Sequence, residues 1–495
     1  MSTDENSTEA LPEPESSGTS RGLRGRRTEI LVAVAMGIVV TVLSLAQLFA
    51  GEDIGLQDNG DGWRVWCHMG RTVHGLEEFT FTSEAGSAPN CPYRPAYSQW
   101  AFASSMDPII RVAIDVDAVI TGSSDETDIR TLGVLGSLAY GVIAAAAVLV
   151  FPGPLPARAA VIGLAMILWL DIGFHSYLNS YYSEAAAFVG GAALVVALAA
   201  HFRWPGIISV IAVVLTALVA SMAKPQTLVI LAPLVVVLIA APLLKGGGKR
   251  GVVTSVVGSG VLFVAALLYM QSYGAVYAEI NAYDTLFTAA LVESDDPSGD
   301  LETLGLPQSF LPYVGTGYWP YEDAARTIPD YPIFVEKAGR AWTTTFVVTH
   351  PRIMFSMIKK SIDFVDEFRP LYLGNYELRT GVADRPEPVT WILRKLRPAS
   401  LWLPLLWFGA IIGGAVAAWR WRRSESVRTW ALIAVFTGGS AALSAIAVPF
   451  GAGYFELGKH LVFAAWWTAP LFAGAAVLAV VGIVRLVKDR LAGHA

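Results

Sequence analysis

Ten long apolar runs constrain this chain more than any other feature. They lie at roughly 29–49, 132–151, 158–174, 184–202, 206–223, 226–244, 252–271, 401–419, 429–449 and 461–484. Each approaches the ~20 residues a helix needs to cross the ~30 Å hydrocarbon core of a bilayer. Backbone polar groups in hydrocarbon must be satisfied within the chain, so such runs fold as helices. Composition agrees, with 54% of the 495 residues hydrophobic and 15% charged, against about 25% charged in a soluble domain. The expected fold class is an all-α polytopic membrane protein of about ten transmembrane helices. The net charge of −6 and the absence of a basic face exclude a nucleic-acid partner and leave membrane lipids as surroundings. The first run exceeds the ~7–15 residues of a signal-peptide core, and Leu48, Phe49 and Ala50 do not form a small-x-small cleavage site, so it reads as an uncleaved first span.

The basic residues sort by side. Arg21, Arg24, Arg26 and Arg27, then Arg158, Arg203, the group Lys245, Lys249 and Arg250, the group Arg420, Arg422, Arg423 and Arg428, and finally Arg485, Lys488 and Arg490 all share one side if every run crosses. The positive-inside bias makes that side cytoplasmic, together with both termini, in a multi-pass protein of the cell membrane. Two long loops, about 50–131 and 272–400, then face outward, and the first carries 13 acidic and 5 basic residues. The chain divides into a disordered cytoplasmic tail (1–28), an N-terminal transmembrane module (29–271), a large extracytoplasmic loop (272–400), and a C-terminal transmembrane module with a short tail (401–495). Within the loops, 107–120 and 351–365 mix apolar and charged residues at helical spacing, as interfacial helices do. No repeat relates the two halves, which argues against the inverted-repeat plan of many secondary transporters.

Directly after the first run comes GEDIGLQDNGDGWRVWCHMG, residues 51–70. Four carboxylates (Glu52, Asp53, Asp58 and Asp61) stand there, the last of them between Gly60 and Gly62. A solvated loop, a divalent-cation site and a general base are the open readings. The spacing is not that of an EF-hand, whose closing Glu is also missing. A general base has to lie within hydrogen-bond reach of the acceptor hydroxyl. The only two cysteines, Cys67 and Cys91, are in the same loop. Outside the cytoplasm they are expected to form a disulfide, the alternative being two free thiols.

Further ionisable residues lie at the outer ends of the runs. Residues 171–188 (DIGFHSYLNSYYSEAAAF) hold Asp171, His175, Asn179 and Glu184; MAKPQ at 222–226 holds Lys224 and Gln226; YFELGKHLVF at 454–463 holds Glu456, Lys459 and His460. Ionisable groups at such depth suggest function, although a lysine can also snorkel to the interface. Lys224, Lys459 and His460 would suit an anionic phosphate. Arg64, Asn179, Glu184, Gln226 and Glu456 are the substrate-contacting candidates. A Ser-His-Asp arrangement is not apparent, nor is a Gly-rich phosphate loop for a nucleotide sugar.

One span, an outward loop with an early carboxylate, and then many spans with large outward loops resembles the GT-C superfamily of polyprenyl-phosphate-sugar-dependent glycosyltransferases. LQDNGDGWR, YLNSYYSEAA, KPQ, YDTLFTAALVESDDPSGDLETLGLP and FRPLYLGNYE are similar to motifs of WsfD-like bacterial glycan-biosynthesis hexosyltransferases, over about residues 29–470. The resemblance implies inverting transfer of a hexose from a polyprenyl-phosphate donor to a glycan or glycolipid acceptor on the outer face. Its general base would be Asp58 or Asp61, and a divalent cation could assist. The competing classes are a transporter or lipid flippase, and a lipid-diphosphate-dependent glycan ligase or polymerase.

Overall fold

The computed structural model describes residues 17–51, 53–56, 80–82, 103–122, 126–180, 182–246, 248–272, 275–319, 324–369, 385–397 and 401–492. It is an all-α polytopic membrane protein, with one two-stranded ribbon in which Thr80–Thr82 pairs antiparallel with Glu126–Asp128. The helices used below are α1 (Ser17–Phe49), α2 (Met106–Thr121), α3 (Arg130–Val150), α4 (Leu155–Trp169), α5 (Glu184–Arg203), α6 (Ile207–Ser221), α7 (Leu231–Lys245), α8 (Lys249–Ser272), α9 (Pro351–Asp363), α10 (Pro388–Leu396), α11 (Trp402–Arg420), α12 (Glu425–Ala447) and α13 (Val462–Ala492). Helix α1 begins inside the segment 1–28 expected to be a tail, so the end of that segment is helical. The expected interfacial segments 107–120 and 351–365 are α2 and α9.

Eight helices among the described residues are long and apolar enough to cross a membrane, and nine if one bent pair counts as a single span. This is fewer than the ten expected from the apolar runs. The bent pair joins α4 to Ile172–Asn179 at 64°. The run 206–223 forms α6, whose 15 residues reach only about 22 Å at 1.5 Å per residue.

Helix α6 nevertheless links the two ends of the bundle. At one end, Arg158 pairs with Glu29 at 2.7 Å and Arg203 with Glu425 at 2.9 Å. There Lys245 Nζ also donates to the Arg203 carbonyl at 3.2 Å, and Trp430 Nε1 to the Pro152 carbonyl at 3.1 Å. Arg158, Arg203 and Lys245, read on one side in the sequence, therefore gather at a single end. The chain leaves that end at Arg203 and returns at Lys224, which lies at the other.

Close packing holds the helices together, because lipid offers them no hydrophobic drive to associate. A Cβ on Gly37 of α1 would lie 2.9 Å from the Gly141 carbonyl of α3, so glycine permits that contact. Trp169 stacks on Trp466 at 4.6 Å and donates its indole N–H to the Trp466 carbonyl at 3.1 Å. Trp407 likewise donates to Thr468 Oγ1 at 2.9 Å, so both buried indoles are satisfied. Outward-pointing apolar residues such as Val34, Val257 and Ile412 are exposed, as a lipid-facing surface requires.

Candidate active site

Asp58, Asp61, Arg64, Cys67 and Cys91 lie outside the described residues, but the stem leading to them is fixed. Gly51 takes φ +97° just beyond α1, a left-handed conformation that glycine adopts without strain. The Ile54 N–H then closes the turn onto the Leu48 carbonyl at 2.8 Å. Asp53 pairs with Arg130 at 3.3 Å, and Arg385 donates to the Ala50 carbonyl. Asn179, fully buried, donates from Nδ2 to the Ile54 carbonyl at 2.9 Å. The Asn179 amide nitrogen thus holds the chain four residues before Asp58.

Behind this stem the other expected residues converge from three segments. Glu184 opens α5 and is 2% exposed; Lys224 Nζ reaches its Oε1 at 2.8 Å. Lys459, also buried, pairs with Glu456 at 3.0 Å and sits 5.4 Å above the Tyr182 ring, within the ~6 Å of a cation–π contact. Between the two pairs, Gln226 donates to the His460 carbonyl, while His460 Nδ1 lies 3.2 Å from Gln226 Oε1. An amide oxygen only accepts, so Nδ1 is the donor in that contact. The first loop packs here too: Ser104 Oγ donates to the Ala223 carbonyl at 2.8 Å, and the Ser105 N–H to the Met222 carbonyl at 2.9 Å. Glu184, Lys224, Gln226, Glu456, Lys459 and His460 thus form one constellation at the end opposite the basic groups.

The segment carrying Glu456 rests on the large loop. Glu456 has φ 48° and is the one non-glycine residue with positive φ among those described. Its loop docks on the π-helical turn Asp284–Ala290, where the Tyr454 N–H donates to Thr288 Oγ1 at 2.7 Å. Gly453 takes φ +55° and a Cβ there would lie 2.0 Å from the Asp284 carbonyl, so only glycine fits. Asp284 itself is buried and accepts the Tyr318 N–H at 2.8 Å. Burial pushes its carboxyl up to about 7; the Tyr318 hydrogen bond opposes the rise and the Glu456 charge adds to it. Beside it, Glu279 accepts the Tyr318 hydroxyl at 3.2 Å and the Tyr331 hydroxyl at 2.6 Å, with Arg326 stacked 4.0 Å over Tyr318. Burial and the Glu279 charge raise both phenols above the ordinary tyrosine range.

Two of these participants escaped the reading of single residues. Tyr182 and Asp284 sit inside stretches noticed only as motifs, and nothing local marks either as a partner of Lys459 or a neighbour of Glu456. Asp171, grouped with the outer-end candidates, has a positioning role. Its carboxylate accepts the Gly173 N–H at 2.8 Å, the Val389 N–H at 2.8 Å and the Thr390 N–H at 3.0 Å. One side chain thereby caps both the turn after the bend and the first turn of α10, the preferred place for a carboxylate. His175 lies within hydrogen-bond distance of Ser44 Oγ, at 2.7 Å, and Ser44 donates to Ser137 Oγ at 2.7 Å. That makes His175 part of an interhelical tie. Among the described residues no group of three His, Cys, Asp or Glu side chains is placed to hold a metal; the acidic motif itself lies outside them.

The model of the YfdI N-terminal transmembrane domain matches residues 20–494 of the chain. The chain belongs to that family. The match takes in every span and both long loops, so it covers the constellation as well as the bundle. Neither the curated proteins nor the solved structures give a match.

Proposed function

We propose that this chain is a GT-C-type membrane hexosyltransferase. It moves a hexose from a polyprenyl-phosphate donor to a cell-envelope glycan or glycolipid on the extracytoplasmic face, with both termini in the cytoplasm. The observation that carries the reading is the convergence of Lys224 with the adjacent Lys459 and His460, from two segments, at the loop end of the bundle. Family membership supports it, since the YfdI family is one of GT-C-like membrane glycosyltransferases. The concentration of basic groups at the opposite end supports the sidedness.

In the proposed step, Asp58 or Asp61 takes the proton of the acceptor hydroxyl as that oxygen bonds to the anomeric carbon. The bond from that carbon to the donor phosphate oxygen breaks, and the phosphate leaves with the electron pair. Attack from the opposite face inverts the anomeric configuration. Lys224, Lys459 and His460 compensate the charge growing on the leaving phosphate, where prearranged cations act without reorganisation. Glu184 and Glu456 hold the two lysines before the phosphate arrives and then yield them to it. Glu184, Gln226 and Glu456 then contact substrate, as does Arg64.

The test is transfer of radiolabelled hexose from polyprenyl phosphate to membrane acceptors. Loss of a general base typically costs 10²–10⁴-fold, so Asp58→Asn or Asp61→Asn should lose that much transfer at unchanged protein level. Near-normal transfer by both variants would remove the carboxylate from the mechanism. Reporter fusions at residue 330 should locate the large loop outside, and a cytoplasmic position there would end the proposal.

A further inference from the structure

Away from the constellation, α10 has two distinct faces. Val389, Thr390 and Leu393 are buried against the loop, whereas Trp391 is 60% and Leu396 40% exposed. Leu401 follows at 71% exposure, and α11 begins at the next residue. Exposed Leu405, Phe408, Ile412 and Val416 carry the apolar strip along the whole of α11. Helix α11 is one of the helices able to cross the membrane. Six residues of chain reach at most about 20 Å, so α10 cannot sit far from the point where α11 enters the bilayer. Its basic side chains Arg394 and Lys395 are exposed; Arg394 leans on Glu387 at 3.4 Å, and the following Arg397 on Asp366 and Glu367 at 3.2 and 2.8 Å.

We propose that α10 is a lipid anchor lying in the membrane interface at the loop end of the bundle. Trp391, Leu396 and Leu401 occupy the boundary between headgroups and acyl chains, and Arg394 and Lys395 contact the phosphates of anionic lipids. The exposed apolar residues of α11, which starts six positions after Leu396 and is able to cross a membrane, select lipid as the occupant. Interfacial tryptophan and a basic polar face are the chemistry such helices use. The anchor is tied to the bundle core: Asp171 caps its first turn, and Gln47 of α1 donates to the Pro386 carbonyl at 2.8 Å. Its hold on the membrane surface is thereby joined to the bend after α4. This inference does not depend on the proposed sugar transfer.

The full chain, labelled with fluorotryptophan and placed in lipid nanodiscs, tests it. The resonance missing from Trp391→Phe identifies Trp391. A doxyl label near the lipid carbonyls should broaden that resonance strongly, while a water-soluble gadolinium chelate should leave it sharp. Broadening by gadolinium, or protection from both probes as a second protein copy would give, overturns the proposal. In nanodiscs with equal phosphatidylglycerol and phosphatidylcholine, Arg394→Gln/Lys395→Gln should retain severalfold less phosphatidylglycerol by native mass spectrometry. Unchanged retention overturns the assignment of these side chains to anionic headgroups.

Discussion

The two ends of the bundle use charge differently. At the basic end each ion pair keeps its carboxylate in contact with solvent: Glu29 is 43% and Glu425 47% exposed. At the loop end Glu184 is 2% exposed and its partner Lys224 14%, while Lys459 is fully buried. Half-exposed pairs gain little, typically below about 1 kcal/mol. A buried pair pays desolvation that its own attraction roughly offsets, so stability alone gives little reason to keep Glu184 and Lys224 out of water. The contrast separates carboxylates that keep their water from one that the fold removes from it.

The largest expected effect comes from splitting a buried pair. Taken from sequence alone, Lys224→Met looks harmless to the fold. With Glu184 buried beside it, the substitution strands an uncompensated carboxylate and should cost about 3–5 kcal/mol. Thermal unfolding of purified protein should show a large drop for Lys224→Met. Glu184→Gln/Lys224→Met should regain most of the stability while staying poor in sugar transfer. A stable Lys224→Met protein would mean that the pair is no tighter than those at the basic end.

Next comes the pH dependence set by Asp284. Its folded pKa, about 7, lies above the ordinary value of 3.8. The folded state therefore binds the proton more tightly, and this carboxyl's contribution to stability falls as pH rises from about 4 to about 7. Asp284→Asn cannot ionise and should flatten that part of a stability profile. A profile that keeps its slope would show that the carboxyl does not hold its proton there.

The smallest effect is expected at the basic end. Glu425→Gln breaks the pair with Arg203 and should shift stability by less than about 1 kcal/mol, with even that difference shrinking at high salt. A loss as large as that of Lys224→Met would erase the distinction between the ends.

The chain's one-dimensional pattern determined the helical class, the membrane setting and the gathering of basic residues at one end. Those properties depend on run length and local composition, which a segment carries by itself. It also nominated Glu184, Lys224, Gln226, Glu456, Lys459 and His460, because ionisable residues at span ends stand out against apolar neighbours. Helix α6 shows the limit of the length argument, since an apolar run of the expected extent yields only 15 helical residues. Tertiary structure decided the partners: Glu184 for Lys224 across 40 positions, Ile54 for Asn179 across 125, and Val389 for Asp171 across 218. It gave Asn179 and Asp171 their backbone partners, and brought Asp284 beneath the Glu456 loop. Whether a charge is paired, buried or spent on a backbone N–H depends on which atoms the fold brings within about 3 Å of it, and no local pattern encodes that.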